Sequence, residues 1–138
     1  MIRHDRALLD TSTVLLLPRL GSAADLPVRS MISAVTLAEL AVGPLVTDDP
    51  VKRATRAAEV QQAEADFDPL PFDAAAARAF GVVAADLRRS GRKAAARTFD
   101  AMIAAIAIAN GLPLYTCNPD DFAGIDGLEL VAVPHPDR

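Results

Sequence analysis

The chain has 138 residues, 51% hydrophobic and only 4% aromatic, with no Trp and a single Cys. That length suits one compact domain spanning residues 1–138, and a lone Cys117 excludes an internal disulfide or a Cys-rich zinc site and fits a reducing compartment, the cytoplasm. A formal charge of −4 excludes a protein that coats nucleic acid nonspecifically by neutralising phosphates, but not a nuclease whose acids gather around a cation.

The basic start, Arg3 to Arg6, leads into an apolar stretch broken by Asp10, Thr11, Ser12 and Thr13 and halted at Pro18, so neither a secretory signal nor a membrane span is expected. Ala7-Leu8-Leu9 reads as a short strand ending at Asp10. Thr11 and Ser12 are good caps for a helix from Val14 to Leu20, stopped by Gly21. A second strand is expected over Met31 to Val35, running into a helix over Thr36 to Val42 closed by Gly43-Pro44.

Pro50 to about Asp66 has the spacing of an amphipathic helix with a polar outer face. After a brief extended piece, Pro69 to Phe72, Asp73 caps a helix through Arg89 that Ser90-Gly91 ends. Phe99 to Asn110 is apolar on nearly every face apart from Asp100, the mark of a helix buried within the fold, with Thr98 as its cap. Leu112 to Tyr115 is a third strand, Pro119 to Phe122 a turn, and Leu128 to Val133 a fourth strand. Strands alternating with helices predict a three-layer α/β/α sandwich on a mainly parallel central sheet.

Four acids stand at the junctions of these elements: Asp10, Glu39, Asp100 and Asp121. Each has an ordinary explanation. Glu39 lies three residues after Thr36, the spacing of a capping box; Asp100 is in a first helical turn, where the macrodipole favours an acid; Asp10 can cap a helix and Asp121 can fix a turn. Their shared placement argues for more, because in open α/β sheets strand ends and the starts of following helices lie along one ligand-binding edge. Four carboxylates gathered there require a cation, and oxygen donors suit Mg²⁺ or Mn²⁺.

Other chemistries fit poorly. His4 and His135 lie outside any periodic segment and read as solvated residues rather than general bases, and Cys117 reads as a small buried residue. There is no Gly-x-Ser-x-Gly elbow, phosphate loop or dinucleotide fingerprint. A catalytically silent module that binds nucleic acid or protein, with its acids serving as caps, remains an alternative.

Four segments together resemble the motifs of PIN-domain ribonucleases, and more narrowly the VapC-type toxins: Leu8 to Ser12, Ile32 to Leu40, Arg97 to Ala105, and Thr116 to Phe122. The likeness covers almost the whole chain, in the right order. It implies a metal-dependent endoribonuclease acting as the toxin of a toxin–antitoxin pair, homodimeric and neutralised by a VapB-type antitoxin. It also implies a catalytic and metal-binding set of Asp10, Glu39, Asp100 and Asp121, with Thr11, Ser12 and Thr116 as polar neighbours. Many members carry an acid at the position of Asn118, so here the fourth acid comes from Asp121 or is absent. The basic cluster Arg88, Arg89, Arg92, Lys93 and Arg97 runs directly into Asp100; Arg92, Lys93 and Arg97, with Thr11, Ser12, Thr116 and Asn118, are candidates for contacting an RNA substrate, while Arg88 and Arg89 equally suit cations at a helix C-terminus.

Overall fold

The computed structural model describes residues 3–92 and 97–138. Four strands, β1 (Arg6–Leu9), β2 (Arg29–Met31), β3 (Leu114–Thr116) and β4 (Leu130–Ala132), form one sheet in the order β2-β1-β3-β4, with every pairing parallel. The helices are α1 (Thr11–Leu16), α2 (Ala34–Val42), α3 (Pro50–Asp66), α4 (Ala74–Arg89) and α5 (Thr98–Ala109).

The alternation of strand side chains sorts the core onto the two faces of the sheet. Leu8 and Leu114 point to the face covered by α4 and α5, where they meet Val83, Leu87, Ile103 and Ile106. Ala7, Leu9 and Tyr115 point to the other face, where they pack with Val14, Leu16 and Leu17. Helix α5 is apolar all round because it lies between the sheet and α4, and Ala101 and Ile103 to Ala107 are all buried. The result is the expected α/β/α arrangement, with its strands entirely rather than mainly parallel.

Several expected boundaries move, each for a local reason. The first helix begins at Thr11, with Asp10 as its N-cap residue, and narrows at Leu17–Arg19 into a 3₁₀ turn because Pro18 has no N–H to continue the α ladder. The second strand ends at Met31, and Ala34 and Val35, expected in that strand, open α2 instead. Ser33 is the N-cap there, its hydroxyl accepting from the Thr36 N–H at 3.1 Å. Helix α5 is capped by Arg97, one residue earlier than expected, and the third and fourth strands are the shorter Leu114–Thr116 and Leu130–Ala132. Helices α3 and α4 start behind Asp49 and Asp73, whose carboxylates accept from the exposed N–H groups of the first turn. His4 is also not a solvated tail residue: its Nδ1 meets the Tyr115 hydroxyl at 2.8 Å and its Nε2 meets Glu129 at 2.7 Å.

Candidate active site

The chain leaves β1 toward β2 on one side, while β3 pairs with β1 on the other, so the carboxyl ends of β1 and β3 flank the point where the connections diverge. Such a crevice is where open parallel sheets hold ligands. Asp10 follows β1 directly and is 3% exposed. Thr116, the last residue of β3, donates its hydroxyl to Asp10 Oδ2 at 3.0 Å and so bridges the two strand ends.

Asp10 does not cap α1 through its side chain. Its carboxylate instead collects hydroxyls: Ser12 on Oδ2 at 3.0 Å, Thr116 on the same oxygen, and Thr13 on Oδ1. Burial pushes the Asp10 pKa above the ordinary value, and these hydroxyl donors pull it partly back. Thr13, fully buried, also accepts the Cys117 N–H at 3.0 Å, locking the first turn of α1 to the end of β3. Sequence reasoning missed Thr13. The polar run Thr11-Ser12-Thr13 just after an apolar strand was the available signal, since a hydroxyl three residues on reaches back to the carboxylate.

Glu39 is not part of a capping box. The N-cap is Ser33, and Thr36, rather than Glu39, occupies the third helical position. Glu39 lies further along α2, half-buried, with Oε1 accepting from the Thr11 hydroxyl at 2.7 Å, and Thr11 is also 3.0 Å from the Thr36 hydroxyl. Buried Ser33 and Thr36 thus extend the hydroxyl network from α2 to α1.

Asp100 stands in the first turn of α5, half-buried, and its pKa is pushed up to about 6. Burial is the main cause, followed by the negative charges of Asp121, Asp10 and Glu39, while Arg97 acts in the opposite sense. All four acids named from the sequence therefore share one electrostatic neighbourhood centred on Asp100. Among the described residues, no three His, Cys, Asp or Glu side chains are gathered tightly enough to coordinate an ion as they stand. Positive charge comes instead from Arg97, whose Nη1 is 2.8 Å from Asp121 Oδ1 and 3.9 Å from Asp100 Oδ2.

The remaining candidates divide. Asn118 joins the site, its Nδ2 donating to Ser12 Oγ at 3.0 Å and its N–H to Thr116 Oγ1 at 2.9 Å. Arg92 closes the end of α4, its N–H bonding the Leu87 carbonyl at 2.9 Å, and Lys93 lies outside the described residues. Arg89 is paired with buried Asp86. Beside the site, an apolar groove of about 170 Å³ opens between α1 and α3, lined by Val14, Leu15, Leu17, Leu40, Ala63 and Phe67. A second hollow, bordered by Thr11, Glu39, Arg56 and Glu59, adjoins it through Leu15, Leu40 and Glu59, which line both.

This arrangement of acids around parallel strand ends coincides with a family match: residues 7–128 fit the PIN domain. The chain belongs to the PIN-domain family. Among relatives, ribonuclease VapC5 of Mycobacterium tuberculosis is 40% identical over 108 residues, 78% of this chain and 77% of that protein. The tRNA(fMet)-specific endonuclease VapC of Shigella flexneri is 37% identical over 100 residues, 72% of each chain. Among solved structures, this PIN domain superposes with a TM-score of 0.81 and 37% identity on a chain from the VapBC-5 crystal structure of M. tuberculosis, a member of the VapBC family of toxin–antitoxin systems. That match covers 94% of this chain and 99% of the other. DNA-bound VapBC of Salmonella typhimurium matches with a TM-score of 0.72 and 26% identity, over 94% of this chain and 97% of that one.

Proposed function

We propose that this protein is an endoribonuclease of the VapC type, the toxin of a toxin–antitoxin pair, which cuts RNA phosphodiester bonds at the Asp10–Glu39–Asp100–Asp121 site with the help of Mg²⁺ or Mn²⁺. The observation that carries the reading is the placement of the acids, with Asp10 bonded across the ends of β1 and β3 and Asp100 and Asp121 joined by Arg97, so that burial and the neighbouring carboxylates push the Asp100 pKa up to about 6. A half-buried acid under that much negative charge is what a divalent cation relieves. The donors are all hard oxygens, which suits Mg²⁺ or Mn²⁺ rather than a thiolate- or imidazole-seeking metal. The names of the VapC relatives support the RNA substrate.

Asp10 and Asp100 would hold the cation, and Glu39 and Asp121 would complete the negative charge around it. Bound there, the ion supplies Lewis-acid polarisation of the scissile phosphate and a lowered pKa for the attacking water. The chain's own residues prepare the site. Ser12, Thr13 and Thr116 fix the orientation of the Asp10 carboxylate, and Thr11 does the same for Glu39. A carboxylate fixed in advance does not need to be reordered when the substrate arrives. Arg97, a guanidinium between two acids, has further N–H donors that it would offer to a phosphate oxygen.

The partner would be a VapB-type antitoxin, as the VapBC complexes among the structural relatives suggest, and the family resemblance implies that the assembly would include a homodimer of this chain. A segment of the antitoxin lying in the apolar groove beside α1 would run toward Glu39 and Arg56, and so toward the acids. Among the described residues no helix is long and apolar enough to cross a membrane. The RNA substrate and the free thiol of Cys117 point to work in the cytoplasm.

The test is purified protein with Mg²⁺ or Mn²⁺ on cellular RNA, DNA and a phosphomonoester in parallel, with and without excess antitoxin. Cleavage confined to RNA, abolished by chelation and by antitoxin, is the expected result. Equal attack on DNA or on the monoester would move the protein to another class of phosphoesterase, and no cleavage of any substrate would end the enzymatic reading.

A further inference from the structure

The segment after β4 folds back toward the acids and delivers a cation to their rim. Arg19, in the 3₁₀ turn after α1, forms an ion pair with Asp137. The Asp137 N–H bonds His135 Nδ1 at 3.1 Å and the Arg138 N–H bonds the His135 carbonyl at 3.2 Å, so residues 135–138 form a compact turn pinned to the α1 side. From that turn Arg138 Nη1 donates to Asn118 Oδ1 at 3.3 Å. The amide of Asn118 is anchored at its other end, with Nδ2 on Ser12 Oγ at 3.0 Å, and Ser12 Oγ is in turn 3.0 Å from Asp10 Oδ2. One amide and one hydroxyl therefore separate the Arg138 guanidinium from the Asp10 carboxylate.

The Cys117 thiol senses both groups. Burial is the main cause pushing its pKa up, the Asp10 charge raises it further and the Arg138 charge lowers it. Arg138 nevertheless forms no ion pair among the described residues, because its partner at the site is the neutral Asn118. Arg97 differs in this respect, with two carboxylates within 4.0 Å. A guanidinium that spends one N–H on a neutral amide keeps its charge and its remaining donors for an incoming anion. The pinned turn also removes part of the entropy that a free side chain would lose on binding. The family match spans residues 7–128, and Arg138 lies beyond it.

We propose that Arg138 is a substrate-binding residue of this site, gripping a backbone phosphate of single-stranded RNA beside the one that is cut. This deepens the ribonuclease reading and rests on it. The experiment measures binding without cleavage, using a labelled single-stranded RNA with the full chain in EDTA at several salt concentrations, for wild type, Arg138→Gln and Arg138→Lys. The Arg19–Asp137 ion pair and the two bonds to His135 do not use the Arg138 side chain, so the turn stays pinned in both variants, and unchanged thermal midpoints check this.

Arg138→Gln is expected to weaken binding several-fold and to flatten the plot of log affinity against log salt by about 0.7, the loss of one phosphate contact, while Arg138→Lys keeps most of the slope. Equal affinity and equal slope for wild type and Arg138→Gln, or no measurable binding by wild type even at low salt, would overturn the proposal. Loss of binding in Arg138→Gln from a wild type that cuts no RNA would leave the phosphate contact standing and remove only the ribonuclease reading.

Discussion

Arg97 holds Asp121 at 2.8 Å while standing 3.9 Å from Asp100, so a single guanidinium serves as resident counter-charge to two of the four site acids. The divalent cation proposed for the site would compete with that guanidinium for the same carboxylates. Arg97→Met should therefore lower the thermal midpoint in EDTA slightly, by the ~0–1 kcal/mol typical of a partly exposed pair. It should also enlarge the rise in midpoint that saturating Mn²⁺ produces. An equal or smaller Mn²⁺-induced rise in the variant would show that Arg97 and the cation do not compete.

The raised pKa of Asp100 fixes a pH dependence of stability. An unfolded Asp titrates near its ordinary value of 3.8, whereas folded Asp100 keeps its proton up to about 6. Between those values the folded state binds more protons, so this residue costs stability as pH rises from about 4 to about 6, and the cost is fully present above that range. In EDTA, Asp100→Asn should remove this slope from a plot of midpoint against pH and be more stable than wild type at pH 7. Parallel curves would contradict the assignment. Mn²⁺ affinity should rise with pH through the same window, because the ion must displace the Asp100 proton.

Glu39 and Ser33 separate the helix-capping role from the site role. Ser33→Ala removes the cap of α2 and should cost about 1 kcal/mol or somewhat more, since Ser33 is also buried. Glu39→Gln should leave stability within about 0.5 kcal/mol and lower activity by tenfold or more. Urea denaturation and RNA cleavage, measured on both variants, check this. A Glu39→Gln variant that unfolds early and cuts normally would restore the capping reading.

How much was legible in the sequence depended on whether a residue's role was local. Helices α3 and α4 appeared as read because Asp49-Pro50 and Asp73 carry their own start signals and the apolar spacing sets their length. The start of α2 was misread because Ile32 and Val35 look like strand residues, and only the 2.7 Å bond from the Ala34 N–H to the Leu70 carbonyl shows where β-pairing gives way to helix. With the cap misplaced at Thr36, Glu39 acquired a capping role it does not have. Asp10 was readable from its position at a strand end, and its partners Ser12 and Thr13 are local, but Thr116 reaches it from 106 positions away and Thr11 meets Glu39 from 28. Nothing in the local pattern around Arg138 reveals that it meets Asn118.

Thr13 tests that long-range wiring. Its hydroxyl is fully buried, donates to Asp10 and accepts the Cys117 N–H. Thr13→Val keeps the shape but leaves a buried N–H without an acceptor and takes a donor from a buried carboxylate, a change that should cost about 1–3 kcal/mol and lower Mn²⁺ affinity. Urea denaturation and Mn²⁺ titration of the folded variant check it. A cost below about 0.5 kcal/mol with unchanged Mn²⁺ binding would remove Thr13 from the site.

The central claim is that the acids at the carboxyl ends of the parallel strands hold a cation that cuts RNA. The most direct measurement is Mn²⁺ binding by calorimetry alongside RNA cleavage with mapped ends, for wild type, Asp10→Asn and Asp100→Asn, each shown to be folded by circular dichroism. The account predicts that wild type binds Mn²⁺ and cuts RNA at defined positions, and that both variants stay folded while losing binding and cleavage together. Folded variants that leave the same fragments as wild type, or a wild type that cuts RNA equally well in EDTA, would contradict it.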